Sequence, residues 1–161
     1  MDLMVEEDAS IKCVWFGMSE EELVEIMQHP MCMYGTDGRA CATYGELSKG
    51  AVHPRYYGTY PRIFGRDVRE EKRFSLEEAV RKSTSAVAQR FGIDGRGELK
   101  EGYYADLVIF DPETIAETNT FAAPHSYPAG IDYVVVNGQI VIDHGEHTDV
   151  LPGEILRKKR A

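Results

Sequence analysis

The sequence predicts an α/β fold, on three observations. Residues 11–34 read as strand, helix, strand; a capped helix opens at Leu76; and two β-branched runs flank Asn137-Gly138. A strand, a helix and a second strand in short succession point to parallel strands joined by a helical crossover. The glycine-punctuated stretch Gly95-Arg96-Gly97 then divides this α/β segment, residues 1–95, from a β segment, residues 96–161.

Each element follows from local chemistry. Ile11-Lys12-Cys13-Val14-Trp15-Phe16-Gly17 has strand character. Ser19 and Glu22 form a capping box, Leu23, Ile26 and Met27 share one helical face, and Pro30 bars continuation. Met31-Cys32-Met33-Tyr34 is a short apolar strand ending at Gly35. Residues 39–52 lack periodicity, and a loop of that length is either functional or disordered. Ser75 and Glu78 repeat the capping box; Ala79, Val80 and Ser83 face one way, and Ala86, Val87 and Phe91 continue to a stop at Gly92. Thr84-Ser85 leaves one helix or two equally open. Asp106-Leu107-Val108-Ile109-Phe110-Asp111-Pro112 reads as a buried strand terminated by its Asp-Pro, and residues 113–130, with Pro124 and Pro128, as an extended surface connection. Tyr133 through Ile142 is a hairpin whose Asn137-Gly138 turn is of type I′.

Composition narrows the function. A chain of 161 residues is the size of one domain and buries roughly two-thirds of its unfolded surface. A net charge of −9 argues against nucleic acid and against anionic membranes. The one basic cluster, residues 157–160, reads as a solvated terminus. No apolar run is long enough to span a bilayer, the acidic start is no signal peptide, and a cytoplasmic location is expected. Cys13, Cys32 and Cys41 show no paired spacing, which suits free thiols in a reducing compartment. His144 and His147 lack neighbouring ligands for a zinc site.

The candidate site lies between residues 33 and 62. Asp37, bracketed by Gly35 and Gly38, sits at the carboxyl end of its predicted strand, where α/β folds gather ligands. The same pattern describes an ordinary strand-to-loop turn. Arg55, set among His53, Pro54, Tyr56 and Tyr57, suits bidentate recognition of a carboxylate or phosphate. It equally suits an arginine stacked on tyrosines in a structural corner.

Taken together, Gly35-Thr36-Asp37-Gly38, His53-Pro54-Arg55-Tyr56-Tyr57-Gly58-Thr59-Tyr60-Pro61-Arg62, the helix from Leu76 to Lys82, Gly102 to Pro112, Val136-Asn137-Gly138 and Gly145 to Thr148 come in one family's order. The chain resembles the C-terminal part of D-aminoacylases, the N-acyl-D-amino-acid deacylases of the amidohydrolase superfamily, over residues 11–157. The resemblance implies the last βα units of a (β/α)₈ barrel followed by C-terminal strands of a small β-sandwich domain. It implies a zinc-dependent hydrolase that cleaves N-acyl-D-amino acids to a carboxylate and a D-amino acid. Asp37 matches the aspartate that handles the proton of the attacking water and is a possible metal contact. Arg55 matches an arginine used on the substrate α-carboxylate, and His53 is expected to orient the loop.

The departure from the family is large. A (β/α)₈ barrel needs about 250 residues, and the family's HxH, its cysteine ligand and two later histidines are absent here. The expectation is therefore a fragment: a truncated product, a broken reading frame or a subunit needing the N-terminal portion as partner. Alone it is expected to bind no zinc and to be inactive. Two alternatives stay open, a non-catalytic oligomerisation or scaffold domain of the same descent, and an amidohydrolase acting on another amide. Arg55 argues against a cyclic amide, which offers it no free carboxylate. Unpaired strands at 11–17 and 31–34 and an uncovered helix face predict homo-oligomerisation, strand exchange or partial disorder, with residues 39–60 most mobile.

Overall fold

The computed structural model describes residues 2–6, 8 and 15–157. A short helix α1 (Asp2–Glu6) opens the chain. Helix α2 (Glu20–Gln28) begins as the capping box predicts, with the Glu22 amide donating to Ser19 Oγ at 3.1 Å. Helix α3 (Arg55–Arg62) runs without interruption into a π-helical segment, Ile63–Glu70. Helices α4 (Leu76–Ser83) and α5 (Ser85–Phe91) meet at Thr84, whose φ of −132° and ψ of −89° settle the open question in favour of two helices. Gly92 closes α5 in the left-handed conformation, φ 67°.

Four strands follow: β1 (Leu107–Phe110), β2 (Ile131–Val136), β3 (Gln139–Asp143) and β4 (Glu146–His147). They form one antiparallel meander in the order β1-β2-β3-β4. The predicted hairpin is present, with Asn137 at φ 49° and Gly138 at φ 77°, both positive as a type I′ turn requires. Arg96 fastens this turn to the start of β1. It bonds Asp106, reaches Asn137 Oδ1 at 2.6 Å and stacks on Tyr104 at 4.1 Å, while the Asn137 amide donates to Asp106 Oδ1 at 2.8 Å.

Two expectations need correction. The strand at 11–17 is not found: residues 11–14 lie outside the described residues, and 15–17 are irregular. Residues 31–34 form no strand, so no parallel βαβ unit exists among the described residues. A strand is defined by its ladder partner; here the Tyr34 amide donates instead to the Lys82 carbonyl on α4, at 3.3 Å. Residues 39–60 are not one continuous loop. They contain a 3₁₀ turn at Gly45–Ser48 and the first six residues of α3.

The core is small. Met27, Ile63, Phe64, Ala79 and Ile115 form its buried cluster, against which Leu23, Tyr34, Tyr60, Val68, Phe74, Leu76, Phe110 and Ile131 pack. Ile115 belongs to the connection read as a surface segment, so part of residues 113–130 is interior. On α4, Ala79 faces inward as predicted but Val80 does not; the second buried residue is Lys82, 0% exposed. Its ammonium donates to the Met27 and His29 carbonyls at 2.5 and 2.8 Å and lies 3.8 Å from Glu78. Lys82 thus satisfies the C-terminal carbonyls of α2, where a cation also meets the negative end of the helix dipole.

Candidate functional site

The segment after Tyr34 leaves the core and turns at Asp37. The turn uses the aspartate itself, φ 45°, and not the flanking Gly35 or Gly38, neither of which has positive φ. A non-glycine residue in that region is uncommon, and aspartate tolerates it better than most. Thr36 Oγ1 accepts the Gly38 amide at 3.0 Å and helps hold the turn.

Arg55 comes from the opposite side, as the first residue of α3. His53 prepares that start: its Nδ1 accepts the Arg55 amide at 3.1 Å, one of the orphan donors of a helix N-terminus. With Nδ1 accepting, a neutral His53 carries its proton on Nε2. The His53 ring packs edge-on to Phe121, centroids 5.0 Å apart, and Phe121 in turn on Phe16 at 4.9 Å. Burial, and then the charge of Arg55, lower the His53 pKa from its ordinary 6.5, opposed by the Asp37 carboxylate.

All three residues singled out from the sequence therefore meet. Arg55 Nη2 donates to Asp37 Oδ2 at 2.6 Å, and Arg55 Nε to the Asp37 carbonyl at 3.4 Å. Neither motif implies this direct pairing, since the resemblance gives Asp37 and Arg55 different partners. The loop between them is tied down by Tyr57, which donates to the Ala42 carbonyl at 2.9 Å, and by His125, whose Nε2 meets the Gly50 carbonyl at 2.8 Å.

Beside the pair opens a cavity of about 560 Å³. His53, Arg55 and Phe121 line it, with Leu23, Ile26 and Met33 supplying apolar wall. Its floor carries charge. Arg62 faces Glu117 at 3.5 Å, and Arg73 pairs with the buried Asp67 at 2.9 Å. Burial raises the pKa of Asp67 and of Glu117, against the pull of these arginines. Glu20 lies at the edge of this network, its pKa lowered first by the hydrogen bond from Arg73.

Sequence reasoning missed the residues that support the site. Asn119, 6% exposed, donates to the Pro54 carbonyl at 2.6 Å and so fixes the start of α3 from residues 113–130. Gly58 and Gly65 let that segment lie against the helix: a Cβ on Gly58 would sit 2.6 Å from Asn119 Oδ1, and one on Gly65 2.5 Å from the Ile115 carbonyl. The seven-residue spacing of these glycines, two helical turns, was the available signal. Among the described residues no group of three or more His, Cys, Asp or Glu side chains comes together as a metal site. His144 Nε2 is engaged by Tyr133 at 2.7 Å and His147 Nδ1 by the Asp149 amide at 3.0 Å.

Comparison with known proteins gives this geometry a context. The profile of the Amidohydrolase family matches residues 27–142. A D-aminoacylase of Alcaligenes xylosoxydans xylosoxydans is 40% identical over 148 residues, 92% of this chain and 29% of the relative. An N-acyl-D-glutamate deacylase of the same organism is 39% identical, over 90% of this chain and 28% of its own. A D-aminoacylase crystal structure superposes with a TM-score of 0.77 at 39% identity, over 84% of this chain and 27% of that one. The N-acyl-D-glutamate deacylase of Bordetella bronchiseptica, solved with zinc and a phosphonate mimic of the tetrahedral intermediate, gives 0.78 at 40% identity, over 88% and 28%. The chain thus spans less than a third of the length of these relatives. With the family profile covering most of its length, the chain belongs to the amidohydrolase family.

Proposed function

We propose that this chain is the C-terminal part of a metal-dependent amidohydrolase that hydrolyses N-acyl-D-amino acids to a carboxylate and a free D-amino acid. In this reading residues 1–95 close a (β/α)₈ barrel and residues 96–161 complete a small β-sandwich. The whole enzyme is cytoplasmic and a homo-oligomer; among the described residues no helix is long and apolar enough to cross a membrane. The observation that carries the reading is the pairing of Asp37 with Arg55 at 2.6 Å beside the cavity, in a chain 40% identical to a D-aminoacylase.

The chemistry assigned to these residues is simple. Asp37 takes the proton of the water attacking the amide carbonyl and returns it to the departing amine, a role worth about 10²–10⁴ in rate. Arg55 holds the α-carboxylate, where a planar guanidinium fork supplies direction as well as charge. His53 fixes the start of α3 and with it the position of Arg55. Zinc is supported by the zinc-bound deacylase relative. The described residues do not form a metal site among themselves, and the main metal ligands come from the N-terminal portion. The chain alone is accordingly inactive.

The test is D-amino acid release from N-acetyl-D-amino acids by the enzyme of full family length. Asp37→Ala is expected to lower turnover by about 10²–10⁴ while metal content, read by mass spectrometry, is retained. Unchanged turnover would sink the assignment. A second reading, a scaffold domain without catalysis, is favoured by one feature: β1 pairs only with β2, which leaves its outer edge open among the described residues. A stable metal-free dimer, with no amidase activity in the full-length protein, would favour that reading.

A further inference from the structure

Arg55 serves Asp37 with one whole edge of its guanidinium. Nη2 is bonded to the Asp37 carboxylate and Nε is directed at the carbonyl of the same residue. That Nε–Nη2 edge is a fork that can take a carboxylate bidentately. It cannot do so while Asp37 occupies it. The contact is also easily exchanged, since the Asp37 side chain is 87% exposed and that of Arg55 38%. Exposed ion pairs contribute little to stability, whereas a bidentate arginine–carboxylate pair is directional and stronger. Helix α3 holds Arg55 in place from below, through His53 Nδ1 and through Asn119 on the Pro54 carbonyl. The movable partner is therefore Asp37.

We propose that the Asp37–Arg55 pair is a resting-state latch opened by the carboxylate of an incoming ligand. The ligand takes the Nε–Nη2 edge, and Asp37 is released as a free carboxylate beside it. The inference rests on the reading above, in which Arg55 is the carboxylate clamp and Asp37 the proton carrier. It adds that Asp37 and the ligand carboxylate exclude each other at one guanidinium edge. A substrate without a carboxylate would leave Asp37 held by Arg55, so the latch couples recognition of the acid group to release of the base.

The experiment uses the 161-residue chain and N-acetyl-D-alanine as probe, with its carboxamide as control at matched ionic strength. The Arg55 Nε–H and Asp37 carboxyl carbon resonances are followed by NMR. Both are expected to move together with one dissociation constant for the acid, and neither for the amide. Asp37→Asn removes the competitor and is expected to tighten binding roughly two- to fivefold, the range of an exposed ion pair. Equal affinity in wild type and Asp37→Asn overturns the latch and leaves the clamp standing. Tighter binding in the variant with a stationary Asp37 resonance in wild type indicates long-range repulsion or capture at the other guanidinium edge, and also overturns it. No response of Arg55 in either protein, each folded by its amide spectrum, removes the clamp and the latch with it.

Discussion

Burial and the neighbouring Arg55 charge place the His53 pKa below its ordinary 6.5 in the folded chain. The fold therefore favours the neutral ring, whose Nδ1 must stay unprotonated to accept the Arg55 amide. A histidine with a depressed folded pKa contributes stability that is present above 6.5 and lost as pH falls through the folded value. Tm is expected to drop on going from pH 7.5 to pH 5. His53→Asn offers an acceptor close to the position of Nδ1 and does not titrate, so its Tm should fall less over the same interval. Parallel profiles for the two proteins would show that His53 has no part in the start of α3. Asp37 stands on an uncommon backbone, φ 45°. Sequence reasoning sought that turn in the adjacent glycines because glycine adopts positive φ at no steric cost.

At the scale of elements, no local pattern in the sequence assigns α3 or its π-helical continuation. Pro61 lies inside α3 and Gly58 and Gly65 punctuate the run, all three weak or hostile to helix by propensity. Tertiary contact overrides them. The glycines admit residues 115–119 at close range, and Arg69 draws that segment in by donating to the Pro112 and Ile115 carbonyls at 3.1 and 2.7 Å. Gly65→Ala should destabilise the chain by about 1–3 kcal/mol in denaturant unfolding, because its Cβ meets a backbone carbonyl that cannot rotate away. Lys82→Met, of similar length and no charge, leaves the Met27 and His29 carbonyls without their buried donor. A loss of about 2 kcal/mol is expected, with increased amide exchange at the C-terminal end of α2. A neutral result would mean that water replaces the ammonium there.

For the whole molecule, the interior is too small for the apolar inventory. Trp15, Phe16, Met18 and Met31 are each more than 70% exposed, and Val108 and Ile109 on edge strand β1 are 55% and 50% exposed. Apolar surface of this kind is ordinarily covered by another element or chain. The 161-residue chain is therefore expected to self-associate with rising concentration, as read by light scattering after size exclusion. Val108→Lys, a charge on the open edge of β1, should shift the distribution toward monomer. A protein monomeric at all concentrations, with or without that change, would rule out edge pairing. The network of Glu20 with Arg66 and Arg73 at 2.8 and 2.9 Å holds α2 against the π-helical segment.

What the sequence by itself determined were the features whose physics is local. Both N-caps are set by a serine three residues ahead of a glutamate, the Asn137-Gly138 turn by backbone preference at positive φ, and the stop of α5 by Gly92. The motif order also carried the family. Only the tertiary structure decided what depends on a partner distant in sequence. Residues 31–34 are apolar and extended-prone, yet without a ladder they bond to α4 and are no strand. Lys82 looks like a surface lysine and is the most buried polar residue, because α2 ends on it. The pairing of Asp37 with Arg55 closes an interval of 18 residues through the placement of α3, which no local pattern in either motif specifies.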